Sequence, residues 1–186
     1  DYQRAMNLLD GVRSVFVGQA KAQNIAYYRA FCSYNMKDYQ IASDLFKQFI
    51  QTYPESSFAE ECLYMMGFCD YKASPKPRLD QQVTEKAIRE FQLYLSRYPY
   101  SMRKDKVNTY MDEMRDKLSY KAYLSAKNYY LREHYKAAVI SLQNCLKDYP
   151  GSKYREEIMY MLFVSKYQMA VNSVEDKKVE RYNNAR

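Results

Sequence analysis

Ala87-Ile88-Arg89-Glu90-Phe91-Gln92-Leu93-Tyr94-Leu95-Ser96-Arg97-Tyr98-Pro99 decides the fold, because its skeleton returns along the chain. Ala42-x3-Phe46-x2-Phe49-x3-Tyr53-Pro54 precedes it and Ala138-x3-Leu142-x2-Cys145-x3-Tyr149-Pro150 follows it. A worn copy, Ala5-x3-Leu9-x2-Val12-x3-Phe16-Val17, opens the chain. Apolar residues at i, i+4, i+7 and i+11 lie on one face of a helix, and the proline that closes three of the copies stops it. A fixed phrase at intervals of this size is the mark of a helical repeat array.

Upstream of each alanine runs a second helical segment with a small residue and a tyrosine four later: Ala30/Tyr34, Gly67/Tyr71 and Ala126/Tyr130. Turns such as Asn35–Tyr39 and Arg132–Tyr135 separate the two segments. The pair resembles the tetratricopeptide repeat, which implies an all-α, right-handed superhelix of antiparallel helix pairs. About five repeats are expected, the first and last partial.

The closing positions Val17, Pro54, Pro99 and Pro150 are 37, 45 and 51 residues apart, so the array is irregular in two places. Eight extra residues fall in the loop 72–83, where Ser74-Pro75-Lys76-Pro77 forbids helix. Fourteen more precede the fourth repeat. They amount to about four α-turns and keep an apolar stripe through Val107, Tyr110, Met111, Met114 and Leu118, so one helix is expected over about 103–131. The chain reads as a single array: a partial repeat over 1–18, repeats over 19–54, 55–99 and 100–150, and a partial repeat over 151–186. Residues 175–186 are expected to begin a partner helix for the last.

Composition agrees with helix. Only 4 Gly and 5 Pro accompany 47% hydrophobic and 27% charged residues, which argues against collagen, low-complexity disorder and a turn-rich β-sandwich. The longest apolar run, Ile158–Val164, is too short to span a bilayer. Asp1-Tyr2-Gln3-Arg4 lacks the basic-then-apolar layout of an export signal, so any export signal or lipid anchor is expected upstream of it. The net charge of +7 comes from 29 Lys+Arg scattered among 22 Asp+Glu, a solvated surface rather than a nucleic-acid footprint. Cys32, Cys62, Cys69 and Cys145 form no C-x-x-C pair, and His134 stands alone, so neither a metal nor a cofactor is expected. No nucleophile motif or glycine-rich phosphate loop appears, and the chain reads as no enzyme.

Two irregularities narrow the family. Tyr71–Thr84 running into Ala87-x3-Phe91-x6-Tyr98-Pro99, and the long helix carrying Lys117–Tyr123, Tyr129 and Tyr130, then Tyr135-x2-Ala138 and Asp148–Glu157, resemble the BamD (YfiO) family. That family is the tetratricopeptide lipoprotein of the bacterial β-barrel assembly machinery, earlier described as a competence lipoprotein. The resemblance covers nearly the whole chain. It implies a periplasmic scaffold on the inner face of the outer membrane, held by an N-terminal lipidated cysteine and docked through its C-terminal repeats onto a BamA-like barrel protein. The alternatives are a generic tetratricopeptide adaptor and a DNA-uptake factor. The latter needs phosphate-contacting cations on one face, and no Lys/Arg cluster predicts one.

The candidate site is aromatic. Tyrosines recur seven apart in each first helix, Tyr27/Tyr34, Tyr64/Tyr71, Tyr123/Tyr130 and Tyr160/Tyr167, with Phe31 and Phe68 between two of the pairs. Seven residues are two turns, so each pair shares a face. In the resembled fold these positions line a groove, and Tyr27, Phe31, Tyr34, Tyr64, Phe68 and Tyr71 are candidates for holding an extended segment of an unfolded outer-membrane protein. The same rings equally suit packing between neighbouring helices, with the hydroxyl left wet. Arg132, Lys136, Lys153 and Arg155, at turns of the last repeats, are candidates for the BamA-like partner. Glu60/Glu61 and Glu156/Glu157 read as acids favouring helix N-termini.

Overall fold

The computed structural model describes residues 1–183, and the described residues contain helix without strand. The chain forms α1 (Tyr2–Arg13), α2 (Lys21–Asn35), α3 (Tyr39–Thr52), α4 (Ala59–Ala73), α5 (Gln82–Arg97), α6 (Lys104–Leu131), α7 (Tyr135–Asp148), α8 (Arg155–Val171) and α9 (Glu175–Asn183), with a 3-10 turn at Ser14–Phe16. Two compact units divide it, residues 1–114 and 115–186. The loop expected over 72–83 is non-helical between Ala73 and Gln82. The helix expected over 103–131 is α6, unbroken for 28 residues. Of the tail expected to begin a helix, Glu175–Asn183 does so, and residues 184–186 lie outside the described residues.

In the first unit α2 packs on α3, α3 on α4 and α4 on α5; in the second α7 packs on α8 and α8 on α9. The repeated phrase supplies the buried stripe: Ala42, Phe46 and Phe49 on α3, Ala87, Phe91 and Tyr94 on α5, and Ala138, Leu142 and Cys145 on α7 are all buried. In the worn copy Ala5, Leu9 and Phe16 are only partly buried and Val12 and Val17 are exposed. The small residues of the first helices mark close approach. Ala30 and Ala126 are fully buried, and a Cβ added at Gly67 would stand 2.9 Å from Cδ1 of Phe91.

The turns repeat in atomic detail. Lys37 and Glu133 adopt left-handed φ of 67° and 59° just past the ends of α2 and α6. The following N–H groups of Asp38 and His134 reach back to the Ser33 and Tyr129 carbonyls at 3.0 Å, a Schellman closure without glycine. Each Tyr-Pro junction is organised by one serine. The N–H groups of Ser56, Ser101 and Ser152 donate to the carbonyls of Tyr53, Tyr98 and Tyr149, and their Oγ atoms accept from the N–H groups of Phe58, Arg103 and Tyr154.

The inserted loop is equally fixed. Gln81 is buried and its amide donates to the carbonyls of Lys76 at 2.8 Å and Leu79 at 3.1 Å, while its own oxygen accepts from Thr84. Beside it α4 and α5 bury two acids, Asp70 and Glu90, with Lys86 Nζ 2.8 Å from Asp70 Oδ2 and 3.7 Å from Glu90 Oε1. Burial first, then the neighbouring Asp70, pushes the Glu90 carboxyl up to about 8. All four cysteines are buried and free. Burial pushes the thiols of Cys62 and Cys69 up to about 12.

Candidate functional site

The six candidate aromatics of the first unit form one connected ladder. Tyr27 lies 4.6 Å from Phe31, Phe31 lies 6.4 Å from Tyr34, and Tyr34 lies 6.2 Å from Phe68 on the next first helix (centroid distances). Phe68 then stacks on Tyr64 at 5.7 Å and on Tyr71 at 5.9 Å. Tyr110 of α6 closes the ladder 4.5 Å from Tyr71. Sequence reading missed Tyr110 as a member; its place in the apolar stripe of α6 was the available signal.

The ladder has two layers. Five candidates, Tyr27, Phe31, Tyr34, Phe68 and Tyr71, are half-buried against the core, one side packed and the other reachable. Tyr64 differs. It is only 7% exposed, packed against Phe91 and Tyr94 and covered by the Arg103 guanidinium 4.8 Å above its ring. Its ring is a floor for the others, and Arg103 stands over it at the junction position from which Phe58 covers Tyr27.

The hydroxyls are not all free. Tyr27 donates to Glu61 Oε2 at 2.7 Å and Tyr71 donates to Glu113 Oε2. Burial and Glu61 raise the Tyr27 phenol well above its ordinary range, and Glu113 first, then burial, holds that of Tyr71 up to about 12. Both remain neutral donors at any physiological pH. The glutamates read as helix-terminus acids do stand in the first turns of α4 and α8, and they also latch repeats together. Glu60 accepts from Tyr94 at 3.0 Å and Ser101 at 2.7 Å, and Glu157 accepts from Lys127 at 2.7 Å.

Beside the ladder a cleft of about 220 Å³ is lined by Arg13, Ile25, Arg29, Leu45, Phe49 and Tyr53, among others. Arg29 Nε pairs with Asp10 at 2.6 Å. The two arginines sit on different helices, and no sequence spacing joins them. Among the described residues no three of His, Cys, Asp and Glu converge as metal ligands, and no helix is long and apolar enough to cross a membrane.

In the second unit Tyr123 is buried and stacks on Tyr154 at 4.3 Å, repeating the Tyr27–Phe58 contact at 4.5 Å. Tyr160 and Tyr167 are exposed, with Phe163 between them, so α8 presents an aromatic face. The four candidate cations do not make one patch. Arg132 and Lys136 flank the start of α7, whereas Lys153 and Arg155 follow its end, about 20 Å of helix away. Lys153 pairs with Asp116 at 3.4 Å, and Arg155 reaches the Pro150 carbonyl at 3.4 Å.

A family model described as YfiO, outer membrane lipoprotein, matches residues 1–181. The chain belongs to that family. It is also 25% identical over 187 aligned residues to the outer membrane protein assembly factor BamD of Pasteurella multocida (strain Pm70), an alignment covering 95% of this chain and 72% of that protein. The all-helical repeat is accordingly that of a BamD/YfiO-like outer membrane lipoprotein.

Proposed function

We propose that the chain is a non-enzymatic scaffold for outer-membrane protein assembly, working at the periplasmic face of the outer membrane from a lipid anchor upstream of Asp1. Its repeats hold extended, aromatic-rich segments of unfolded outer-membrane proteins on the ladder Tyr27–Phe31–Tyr34–Phe68–Tyr71. The observation that carries this is the two-layered ladder: packed rings make a rigid floor, and half-buried rings offer apolar area at little entropic cost. Hydroxyls already bonded to Glu61 and Glu113 leave ring faces and glutamate oxygens, rather than phenol donors, to meet a peptide.

The test is binding of a labelled aromatic-rich peptide by fluorescence anisotropy. Tyr34→Ala with Tyr71→Ala should weaken binding by about 1–3 kcal/mol with helicity retained. Normal affinity, or loss of helical signal, would assign these rings to packing alone. Tyr64 is unsuited to the experiment, since truncating a buried ring costs about 3–5 kcal/mol of stability by itself.

The BamA-like partner is proposed to dock on the second unit. Exposed Tyr160, Phe163 and Tyr167 supply apolar area there, and Arg132 with Lys136, or Lys153 with Arg155, supply charge. Because the cations fall into two separate pairs, reversing one pair at a time distinguishes them. The pair at the interface should lower co-purification with the partner and the other should not, while equal recovery from both variants removes the set.

A further inference from the structure

The three Tyr-Pro junctions share one backbone and one serine network, so each is a control for the side chains on the others. After Tyr53-Pro54 the outward positions carry Glu55 and Ser57, and after Tyr149-Pro150 they carry Gly151 and Lys153. After Tyr98-Pro99 they carry Tyr100 and Met102, residues 97% and 102% exposed. The fold therefore does not require apolar residues there, and nothing among the described residues covers them. Charge changes with them. Residues 97–106 hold four cations and one acid, against three acids and no cation over 52–61, and two cations and three acids over 148–157.

The loop is held stiffly behind its tip. Tyr94 and Ser101 share a hydrogen bond of 2.6 Å and both bond Glu60, and Arg103 is spent on Glu61 at 3.3 Å and the face of Tyr64. Lys104 and Lys106 are exposed beside the tip, Lys106 with its Nζ 6.0 Å over the Tyr110 ring, and Asp105 is the one acid between them.

We propose that the Tyr100–Met102 loop is a docking tip for an anionic phospholipid surface. The two apolar side chains enter the interfacial layer, and Lys104 and Lys106 face the headgroup phosphates. A fully exposed convex tip has no walls with which to clamp a peptide, whereas an apolar point flanked by cations matches the boundary between acyl chains and anionic headgroups. Tyr, with an apolar ring and polar end, and Met, which adapts to irregular surroundings, suit that depth. Membership of an outer membrane lipoprotein family places a bilayer within reach.

The chain has no tryptophan, so Tyr100→Trp makes a unique reporter. Its emission should move to shorter wavelength on vesicles of equal phosphatidylglycerol and phosphatidylcholine, and stay unmoved on phosphatidylcholine alone. A Tyr129→Trp chain should not respond. Lys104→Glu with Lys106→Glu should reduce vesicle binding by at least about tenfold, and so should Tyr100→Ser with Met102→Ser, neither changing helicity. No shift on anionic vesicles, or the same shift on both compositions, overturns the proposal. A shift that grows with protein concentration in the absence of lipid assigns the tip to self-association, and one produced only by a partner protein assigns it to a protein interface; either also overturns it.

Discussion

The Tyr27 hydroxyl donates to Glu61 across 2.7 Å, joining α2 to the first turn of α4, and in the second unit Lys127 Nζ links the matching pair, donating to the Tyr123 hydroxyl at 2.8 Å and to Glu157 at 2.7 Å. Both pairs are thirty-four residues apart. A side-chain latch thus recurs with the repeat, at the glutamates whose sequence position suggested only a helix-terminus role. Tyr27→Phe should lower the urea-unfolding free energy by about 1 kcal/mol with an unchanged m-value, and Tyr27→Phe in a Glu61→Gln background should cost less.

Gly67→Ala should destabilise the first unit by about 1–2 kcal/mol, because the new methyl enters the Phe91 ring while alanine's better helix propensity recovers part of the loss. Phe91→Leu removes the ring that the methyl strikes, so the double variant should lose less than the sum of the two single losses. Thermal unfolding followed by circular dichroism reads both.

Lys37→Gly and Glu133→Gly should each stabilise by about 0.5–1 kcal/mol, since glycine accepts the left-handed φ that these residues hold under strain. Denaturant midpoints measure the gain. Proline at either position should destabilise instead, since it cannot take a positive φ and loses the N–H bond to the Tyr34 or Tyr130 carbonyl.

Stability should depend on the Glu90 carboxyl between its ordinary value of 4.5 and its folded value of about 8. The folded chain holds that proton more tightly than the unfolded one, so the contribution is fully present below about 4.5, falls as pH rises, and is gone above about 8. Asp70, Lys86 and the more exposed Asp44 are the charged groups around it. Urea midpoints measured across this window should fall, and Glu90→Gln should flatten the slope. An unchanged slope in that variant would place the dependence on other groups.

Helix periodicity and the Ala-x3-aromatic phrase made the fold legible, because each position of that phrase is buried by geometry common to all repeats. The two irregular spacings were legible for the same reason: a proline pair forbids helix, and a continued apolar stripe extends it. The aromatic face was half legible. Spacing placed Tyr27, Tyr64 and Tyr123 alike, but Tyr27 is half-buried and the other two are buried, each under a different neighbour: Phe58, Arg103 and Tyr154, about thirty or forty residues away. Periodicity carries no information about that partner. The cationic candidates failed to converge for a related reason, since two turns adjacent in sequence stand at opposite ends of α7. Gln81, Glu113 and the Arg13–Arg29 cleft were invisible for want of any spacing rule that pairs them.

Burial of the four thiols sets when this chain is chemically vulnerable. No disulfide staples the repeats, and in the folded state Cys62 and Cys69 hold their protons far above neutral pH, leaving little thiolate to attack or be oxidised. In an oxidising compartment the hazard is confined to the interval between emergence of the chain and closure of its helix pairs, when any two of the four can be wrongly joined. Fast local pairing of neighbouring helices is then a protection against misbridging as well as a route to the fold.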